Sequence, residues 1–154
     1  MKTETTAKII IVLSLIGLVD AAYSTYEHYE IISGAIGKSF CDLGVGISCS
    51  AVNGSSFSEV FGIPMALIGV FWFAVLIILS HMMLRGSKNM EFFVFVWSVT
   101  GLGTVFWLLY AEYVIGAICL LCTLVHIIVI VNLVLAYKSL KKPILKYLED
   151  TFYR

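Results

Sequence analysis

Charged residues are scarce in this chain of 154 residues, where they make up 13% and sum to a net charge of zero. An ordinary soluble domain carries about 25% charged residues, so the composition excludes that class. The balanced charge gives no reason to expect nucleic acid as a partner. Proline is rare as well, with two residues, and no proline-rich linker divides the chain. We therefore expect one domain over residues 1–154.

Hydrophobic residues are abundant instead, at 60% of the chain, and the mean hydropathy is +1.00. A membrane-spanning helix requires about 20 predominantly apolar residues. Four stretches meet this requirement, at approximately 8–31, 61–84, 92–111 and 114–137. The last three are joined by short links, which make neighbouring helices antiparallel. The sequence predicts an all-α integral membrane protein built as a four-transmembrane-helix bundle.

The first stretch permits a second interpretation. Its apolar run from Ile9 to Val19 is short and is followed by Asp20, Ala21 and Ala22, as in a signal peptide with a cleavage site. We favour an uncleaved span that leaves the membrane as a polar helical extension.

The distribution of basic residues predicts the orientation. Lys38 lies alone on one side of the four-span topology, and loops rich in lysine and arginine stay in the cytoplasm. We expect a multi-pass protein with both termini cytoplasmic and the active site at the extracytoplasmic face, where disulfides persist. The basic residues on the cytoplasmic side are Lys2, Lys8, Arg85, Lys88, Lys138, Lys141, Lys142, Lys146 and Arg154.

The longest segment outside the spans, residues 33–60, is rich in glycine and serine and contains Cys41 and Cys49. Connections of this length are usually functional or disordered. Because this one also carries apolar residues such as Val52 and Phe57, we predict an ordered, extracytoplasmic cap loop over the helix ends.

The four cysteines fall into two pairs. Gly44 and Gly46 between Cys41 and Cys49 allow a small disulfide loop to close and reopen. Cys119 and Cys122 are three residues apart, on one face of a helix, with the spacing of reversible disulfides. Two dithiols suggest a relay through mixed disulfides. We expect Cys49 to bridge to Cys119, and Cys41 to be the exposed thiol that meets outside partners.

The cysteines also permit simpler interpretations. Cysteines in membrane helices are often small packing residues, and Cys41–Cys49 alone is compatible with a structural staple. Zinc also uses four cysteines, but a site divided between a wide loop spacing and a helix pair is unusual. We predict no metal site.

Several residues together resemble the vitamin K epoxide reductase family over nearly the whole chain. The resemblance implies a quinone pocket inside the bundle and oxidation of a thioredoxin-like partner. It implies that Cys122 engages the quinone, with Cys119 as its partner, and that Cys41 and Cys49 form the shuttle pair. Ser55 resembles the loop residue that helps to hold the cap or the catalytic thiolate. The matching residues are Cys41-Asp-Leu-Gly-Val-Gly-Ile-Ser-Cys49, Ser55, Phe61-Gly62 and Cys119-Leu-Leu-Cys122.

Two positions depart from the animal members of that family. His126 stands where they have a tyrosine, and a neutral imidazole can still donate a hydrogen bond to a quinone oxygen. The start of the second span reads Gly62-Ile63-Pro64-Met65-Ala66, without the expected asparagine, so we do not expect epoxide reduction. The Gly-Ile-Pro sequence resembles microbial members, which support disulfide formation. Because the sequence ends at Arg154, we expect the thioredoxin-like partner to act in trans.

We therefore predict a membrane thiol:quinone oxidoreductase with a menaquinone, ubiquinone or vitamin K type quinone as acceptor. The alternatives are a vitamin K quinone or epoxide reductase and a non-enzymatic scaffold with structural disulfides. The catalytic residues are Cys41, Cys49, Cys119 and Cys122. The substrate-binding candidates are His126, Ser55, Phe57, Phe61, Trp107 and Ile115.

Two further groups receive structural roles. We expect solvated or capping carboxylates near the outer interface at Asp20, Asp42, Glu59 and Glu112. We expect close helix approach, which small residues permit, at Gly17, Gly69, Gly101 and Gly103.

Overall fold

The computed structural model describes residues 3–140 and Tyr147. Four helices in it are long and apolar enough to cross a membrane: α1 (Thr3–Ile32), α3 (Met65–Leu84), α4 (Met90–Ile115) and α5 (Leu120–Ser139). Between the first two lie the short helix α2 (Cys49–Asn53), a 3₁₀ turn (Ser56–Ser58) and the strands β1 (Glu59–Val60) and β2 (Ile63–Pro64). The predicted fold class is confirmed.

The four long helices form a closed ring of contacts. Helix α1 packs on α3 and α5, and α4 packs on the same two helices from the other side. A continuous apolar core joins them, with Ala7, Phe73, Val94 and Ala136 among its buried members. The link from α3 to α4 is the short turn 85–89, where Gly86 (φ 76°) and Asn89 (φ 57°) reverse the chain. The helices therefore run up and down.

The second span starts later than the sequence predicts. Residues 61–64 do not belong to the helix, because β1 and β2 form a tight antiparallel hairpin, with Val60 opposite Ile63. Phe61 (φ 53°) and Gly62 (φ 76°) form its two-residue turn. A turn with two positive φ angles matches the twist of the strands.

The fourth span also starts later, at Leu120 rather than at residue 114. Helix α4 continues to Ile115 and ends at Gly116, whose φ of 72° closes it. The chain is then extended, and Ile118 pairs with Ile47. Cys119 consequently precedes α5 as its N-cap, and only Cys122 lies within the helix.

The expected roles of the helix glycines differ from one position to the next. A Cβ at Gly17 would overlap the buried ring of Phe73, and one at Gly101 would lie 2.7 Å from the Trp72 ring. At Gly69 it would make an ordinary contact of 3.5 Å with Ala21, and at Gly103 it would meet nothing within 4 Å. Gly17 and Gly101 therefore permit close helix approach.

The segment 33–64 packs on one end of the bundle. The Ser48 N–H donates to the Ile118 oxygen (3.1 Å), and the Ile118 N–H donates to the Gly46 oxygen (2.9 Å). The indole N–H of Trp107 donates to the Phe57 oxygen (3.1 Å). An extracytoplasmic cap function of this segment remains a prediction.

Basic residues mark the opposite end of the bundle. Lys8 lies near the start of α1, Arg85 and Lys88 lie in the turn between α3 and α4, and Lys138 lies in the last turn of α5. Lys2, Lys141, Lys142, Lys146 and Arg154 fall outside the described residues.

Candidate active site

The loop cysteines are joined. Cys41 and Cys49 form a disulfide with a Cα–Cα distance of 5.8 Å, within the usual range for such bonds. Cys49 is the first residue of α2, whose N-terminus is capped by the Ser48 hydroxyl, which accepts from the Ala51 N–H (3.1 Å).

Asp42 organises this loop. Its carboxylate accepts hydrogen bonds from the Ser48 hydroxyl (2.9 Å), the Ser50 N–H (3.0 Å) and the Ser39 N–H (2.9 Å). Desolvation acts to raise the pKa of this carboxyl, but the hydrogen bonds from Ser50, Ser39 and Ser48 prevail and lower the pKa to about 2. The capping role expected for Asp42 is confirmed.

The other two cysteines are free thiols, and both are buried. The Cys119 sulfur accepts a hydrogen bond from the Cys122 N–H (3.2 Å), as an N-cap does. The Cys119 N–H donates to Glu112 Oε1 (3.0 Å). Glu112, one turn before the end of α4, thus holds the backbone of Cys119 in place.

The structure brings all four cysteines into a single buried cluster, against which Ile115 also packs. Cys41 is 2% exposed and Cys49 is 0% exposed. The expectation that Cys41 is an exposed thiol is therefore wrong, because the loop folds its disulfide inward onto the link between α4 and α5. The buried members of the cluster are Cys41, Cys49, Val52, Ala117, Cys119 and Cys122.

A buried polar network ties the loop to α1. The fully buried Glu27 carboxylate accepts hydrogen bonds from the Ser39 hydroxyl and from the Asn53 amide (2.8 Å). The Ser39 oxygen also lies 3.2 Å from the Cys41 sulfur. Next to Glu27, His28 lies 2.7 Å from the Asn53 main-chain oxygen. Hydrogen bonds thus connect a membrane helix directly to the loop disulfide.

A cavity of about 560 Å³, including its open mouth, lies between the helices and the loop. Cys122 lines it. Its mostly apolar wall with a few polar groups is that of a small-molecule site. The other lining residues are Asp20, Ala21, Ser24, His28, Val52, Asn53, Ser58, Pro64, Met65, Ala66, Gly69, Thr104, Leu108 and Val125.

None of the aromatic substrate-binding candidates lines this cavity. The Phe57 ring packs near Trp107 (centroids 6.5 Å apart) and near Tyr110 (6.1 Å). Phe61, at the tip of the hairpin, is 101% exposed.

The polar substrate-binding candidates are Ser55 and His126. The Ser55 hydroxyl donates to the Val52 oxygen (2.8 Å) and so closes the end of α2. His126 is buried one turn below Cys122, and its Nε2 has no hydrogen-bond partner among the described residues. Neither residue lines the cavity.

Sequence reasoning did not place Asp20, Ser24 and Asn53 at the site, although all three line the cavity. Asp20 is only 8% exposed, so the expectation of a solvated carboxylate is wrong. A signal was present, because Asp20, Ser24 and His28 recur every four residues and share one helix face. Asn53 follows Cys49 by four residues and lies on the same short helix.

Comparison with protein families matches residues 8–137 to the Vitamin K epoxide reductase family. The chain belongs to that family. Membership in the vitamin K epoxide reductase family indicates an oxidoreductase that works in a membrane with a quinone, as the disulfide and the four apolar helices also suggest. Comparison with curated proteins finds no match.

Metal ligands do not cluster in the part of the chain that the structure describes. Within residues 3–140 and Tyr147, no group of three or more histidine, cysteine, aspartate or glutamate residues could hold a metal ion.

Proposed function

We propose that this vitamin K epoxide reductase family member is a membrane thiol:quinone oxidoreductase that supports disulfide formation. One observation carries the proposal. The loop disulfide and the free thiols share one buried cluster, and Cys122 of that cluster also lines the cavity. This arrangement connects thiol exchange on one side with a small-molecule site on the other.

Electrons enter from the dithiol of a thioredoxin-like partner. A partner thiolate attacks the Cys41 sulfur and releases Cys49, and the second partner thiol resolves the mixed disulfide. The partner leaves oxidised, and Cys41 and Cys49 are reduced. The disulfide is buried, so the loop must open for this step, and Gly44 and Gly46, both at positive φ, provide the freedom.

The second exchange passes two electrons and two protons inward. Cys49 attacks Cys119 in a Cys119–Cys122 disulfide, and Cys41 then resolves the mixed disulfide, which restores Cys41–Cys49 and leaves two free thiols. The Cys122 N–H that faces the Cys119 sulfur stabilises negative charge as that sulfur departs. The resulting state, an oxidised loop pair with a free Cys119/Cys122 pair, is the one in the structure.

The final step delivers the electrons to the quinone. Cys119 and Cys122 form a disulfide as the quinone becomes a hydroquinone, with Cys122 as the thiol beside the substrate. A hydrogen bond from the His126 imidazole to a quinone oxygen remains a prediction, because His126 does not line the cavity.

We place the loop outside the cytoplasm and both termini inside it. The described basic residues Lys8, Arg85, Lys88 and Lys138 support this orientation, because they lie at the end of the bundle away from the cysteines. The thiol chemistry then takes place in the oxidising compartment.

Epoxide reduction remains a second candidate because of Asn53. Its side chain lines the cavity and supplies an amide that the start of α3 lacks. That amide already donates to Glu27 (2.8 Å), which favours the disulfide-forming function.

Anaerobic quinone reduction by the purified protein with a dithiol donor tests the proposal. Cys119→Ser and Cys122→Ser should each abolish turnover, because neither variant can form the inner disulfide. Ser80→Ala removes a buried hydroxyl away from the cavity and serves as the matched control. Full activity in both cysteine variants would exclude the mechanism, and robust turnover of the epoxide would favour the second candidate.

A further inference from the structure

We propose that Asp20 is a substrate-contacting residue whose carboxyl group hydrogen-bonds a quinone oxygen and delivers a proton to it. The proposal rests on the proposed function, since it names a further residue of the same site.

The position of Asp20 is the first argument. It lies on α1, is 92% buried, and lines the same cavity as Cys122. Ser24, one helical turn further along α1, continues the polar strip along the cavity wall.

The fold also gives Asp20 Oδ2 no hydrogen-bond partner among the described residues. Buried polar atoms are nearly always hydrogen-bonded, so such an atom requires an explanation. Two other buried carboxylates are engaged: Glu27 by Ser39 and Asn53, and Glu112 by the Cys119 N–H. Asp20 is different because its free oxygen belongs to a residue of the cavity wall.

Asp20 also differs from the other residues that have an unpartnered buried atom. Buried side-chain atoms of Ser80, His126 and Asn132 also lack a partner among the described residues, but none of these residues lines the cavity. Asp20 alone of the four combines an unpartnered atom with a position in the wall. A ligand in the cavity is the simplest source of the missing hydrogen bond.

The surroundings of Asp20 determine whether its carboxyl group donates or accepts a hydrogen bond. Burial of a carboxylate without a cation or a hydrogen-bond donor is costly, and a protonated carboxyl group avoids that cost. A protonated carboxyl donates a hydrogen bond, and the carbonyl oxygen of a quinone is an acceptor. A mostly apolar cavity with a few polar groups, this carboxyl among them, fits a flat, uncharged ring with carbonyl groups.

The proton balance closes without another reagent. Oxidation of the Cys119 and Cys122 thiols to a disulfide releases two electrons and two protons, and the quinone takes up two of each to become a hydroquinone. Asp20 gives one proton to one quinone oxygen and regains one from the thiols, and the second thiol proton passes to the other quinone oxygen.

The experiment compares Asp20→Asn and Asp20→Leu with Ser80→Ala and wild type in quinone reduction with a dithiol donor, using a short-chain quinone. Asparagine keeps a hydrogen-bond donor but cannot supply a proton. Asp20→Asn should therefore hold KM within about threefold while kcat falls about 100-fold, the scale of general acid catalysis. Asp20→Leu should also raise KM about tenfold, the value of one buried hydrogen bond.

A second readout separates this role from a structural one. Thiol–disulfide exchange between the protein and the dithiol, measured without quinone, should be the same in Asp20→Asn as in wild type. Unchanged kcat in Asp20→Asn would overturn the proposal, even if Asp20→Leu fails to fold. If wild type itself reduces no quinone but exchanges thiols, the proposed function fails. Activity in wild type and Ser80→Ala, with kcat lost only in the Asp20 variants, supports the role of Asp20 as the proton donor to the quinone.

Discussion

Single hydrogen bonds determine where the reactive sulfurs lie. Cys119 is held from both sides, by the Glu112 carboxylate on its N–H and by the Cys122 N–H on its sulfur. Cys41 is held less directly, through Ser39 and the buried Glu27. Glu112 thus fixes the backbone of Cys119, and Glu27 fixes the Ser39 hydroxyl that lies beside the Cys41 sulfur.

Glu112→Ala should lower the rate of quinone reduction about tenfold. The change leaves the buried Cys119 N–H without an acceptor, which costs about 1–3 kcal/mol and lets the N-cap move. Glu112→Gln keeps an acceptor oxygen and should retain most of the rate. Steady-state kinetics of the two variants measure the effect, and equal losses in both would show that the hydrogen bond is unimportant.

The low pKa of Asp42 predicts acid opening of the loop. Its folded-state pKa of about 2 lies below the usual 3.8, so its contribution to loop stability is present above about pH 4 and is lost as the pH falls toward 2. Reduction of Cys41–Cys49 by a phosphine should accelerate over that interval. Asp42→Asn should be reduced faster at pH 6 and show a flatter profile. A wild-type rate that does not respond to Asp42 protonation would contradict this prediction.

At the scale of elements, the helices approach each other closely at two glycines. Gly17 lets α1 approach Phe73 of α3, and Gly101 lets α4 approach Trp72. The two indoles then tie α3 to α4: Trp97 Nε1 donates to the Trp72 oxygen (3.0 Å), and Trp72 Nε1 donates to the Trp97 oxygen (3.2 Å). The cavity wall depends on this packing, because both α1 and α3 contribute to it.

Gly17→Ala should destabilise the bundle by about 1–3 kcal/mol, the usual cost of overpacking a filled core. The new methyl group would overlap the Phe73 ring, which is fully buried. Gly103→Ala is the matched control, since a Cβ there meets nothing within 4 Å, and it should be neutral. Thermal unfolding in detergent measures both, and equal stability of the two variants would contradict the packing argument.

At the scale of the whole molecule, the basic residues Lys8, Arg85, Lys88 and Lys138 lie at one end of the bundle and the cysteines lie at the other. Segments rich in lysine and arginine stay in the cytoplasm, so this arrangement predicts an orientation with the basic turns on the cytoplasmic side. In the predicted orientation the exchange chemistry would be separated from the reducing compartment, and a disulfide would persist where the loop lies.

Site-directed labelling tests this orientation. In a variant with all four native cysteines changed to serine, Ser87→Cys in the turn after α3 should react with an impermeant maleimide only in inside-out vesicles. Ser56→Cys in the loop should react only in right-side-out vesicles. Both positions are exposed. The reverse pattern would invert the orientation and place the cysteines in the cytoplasm.

The sequence by itself determined the class of the molecule. Hydropathy is a sum over local residues, so four spans follow from composition alone, and the cysteine pattern was sufficient to suggest the family. Boundaries were less predictable at residues 61–64 and 114–119, because apolar residues there belong to a hairpin and an extended link. Hydropathy does not distinguish these from helix.

Only the tertiary structure decided which side chains share the site. It buried Cys41, placed Cys119 ahead of its helix as a cap, and brought Asp20 and Asn53 to the cavity that Cys122 lines. These facts depend on how helices rotate and pack against one another and on how residues 33–64 fold over their ends. Contacts between residues so distant along the chain have no local signal, so the cysteines were visible from the sequence and most of the cavity around them was not.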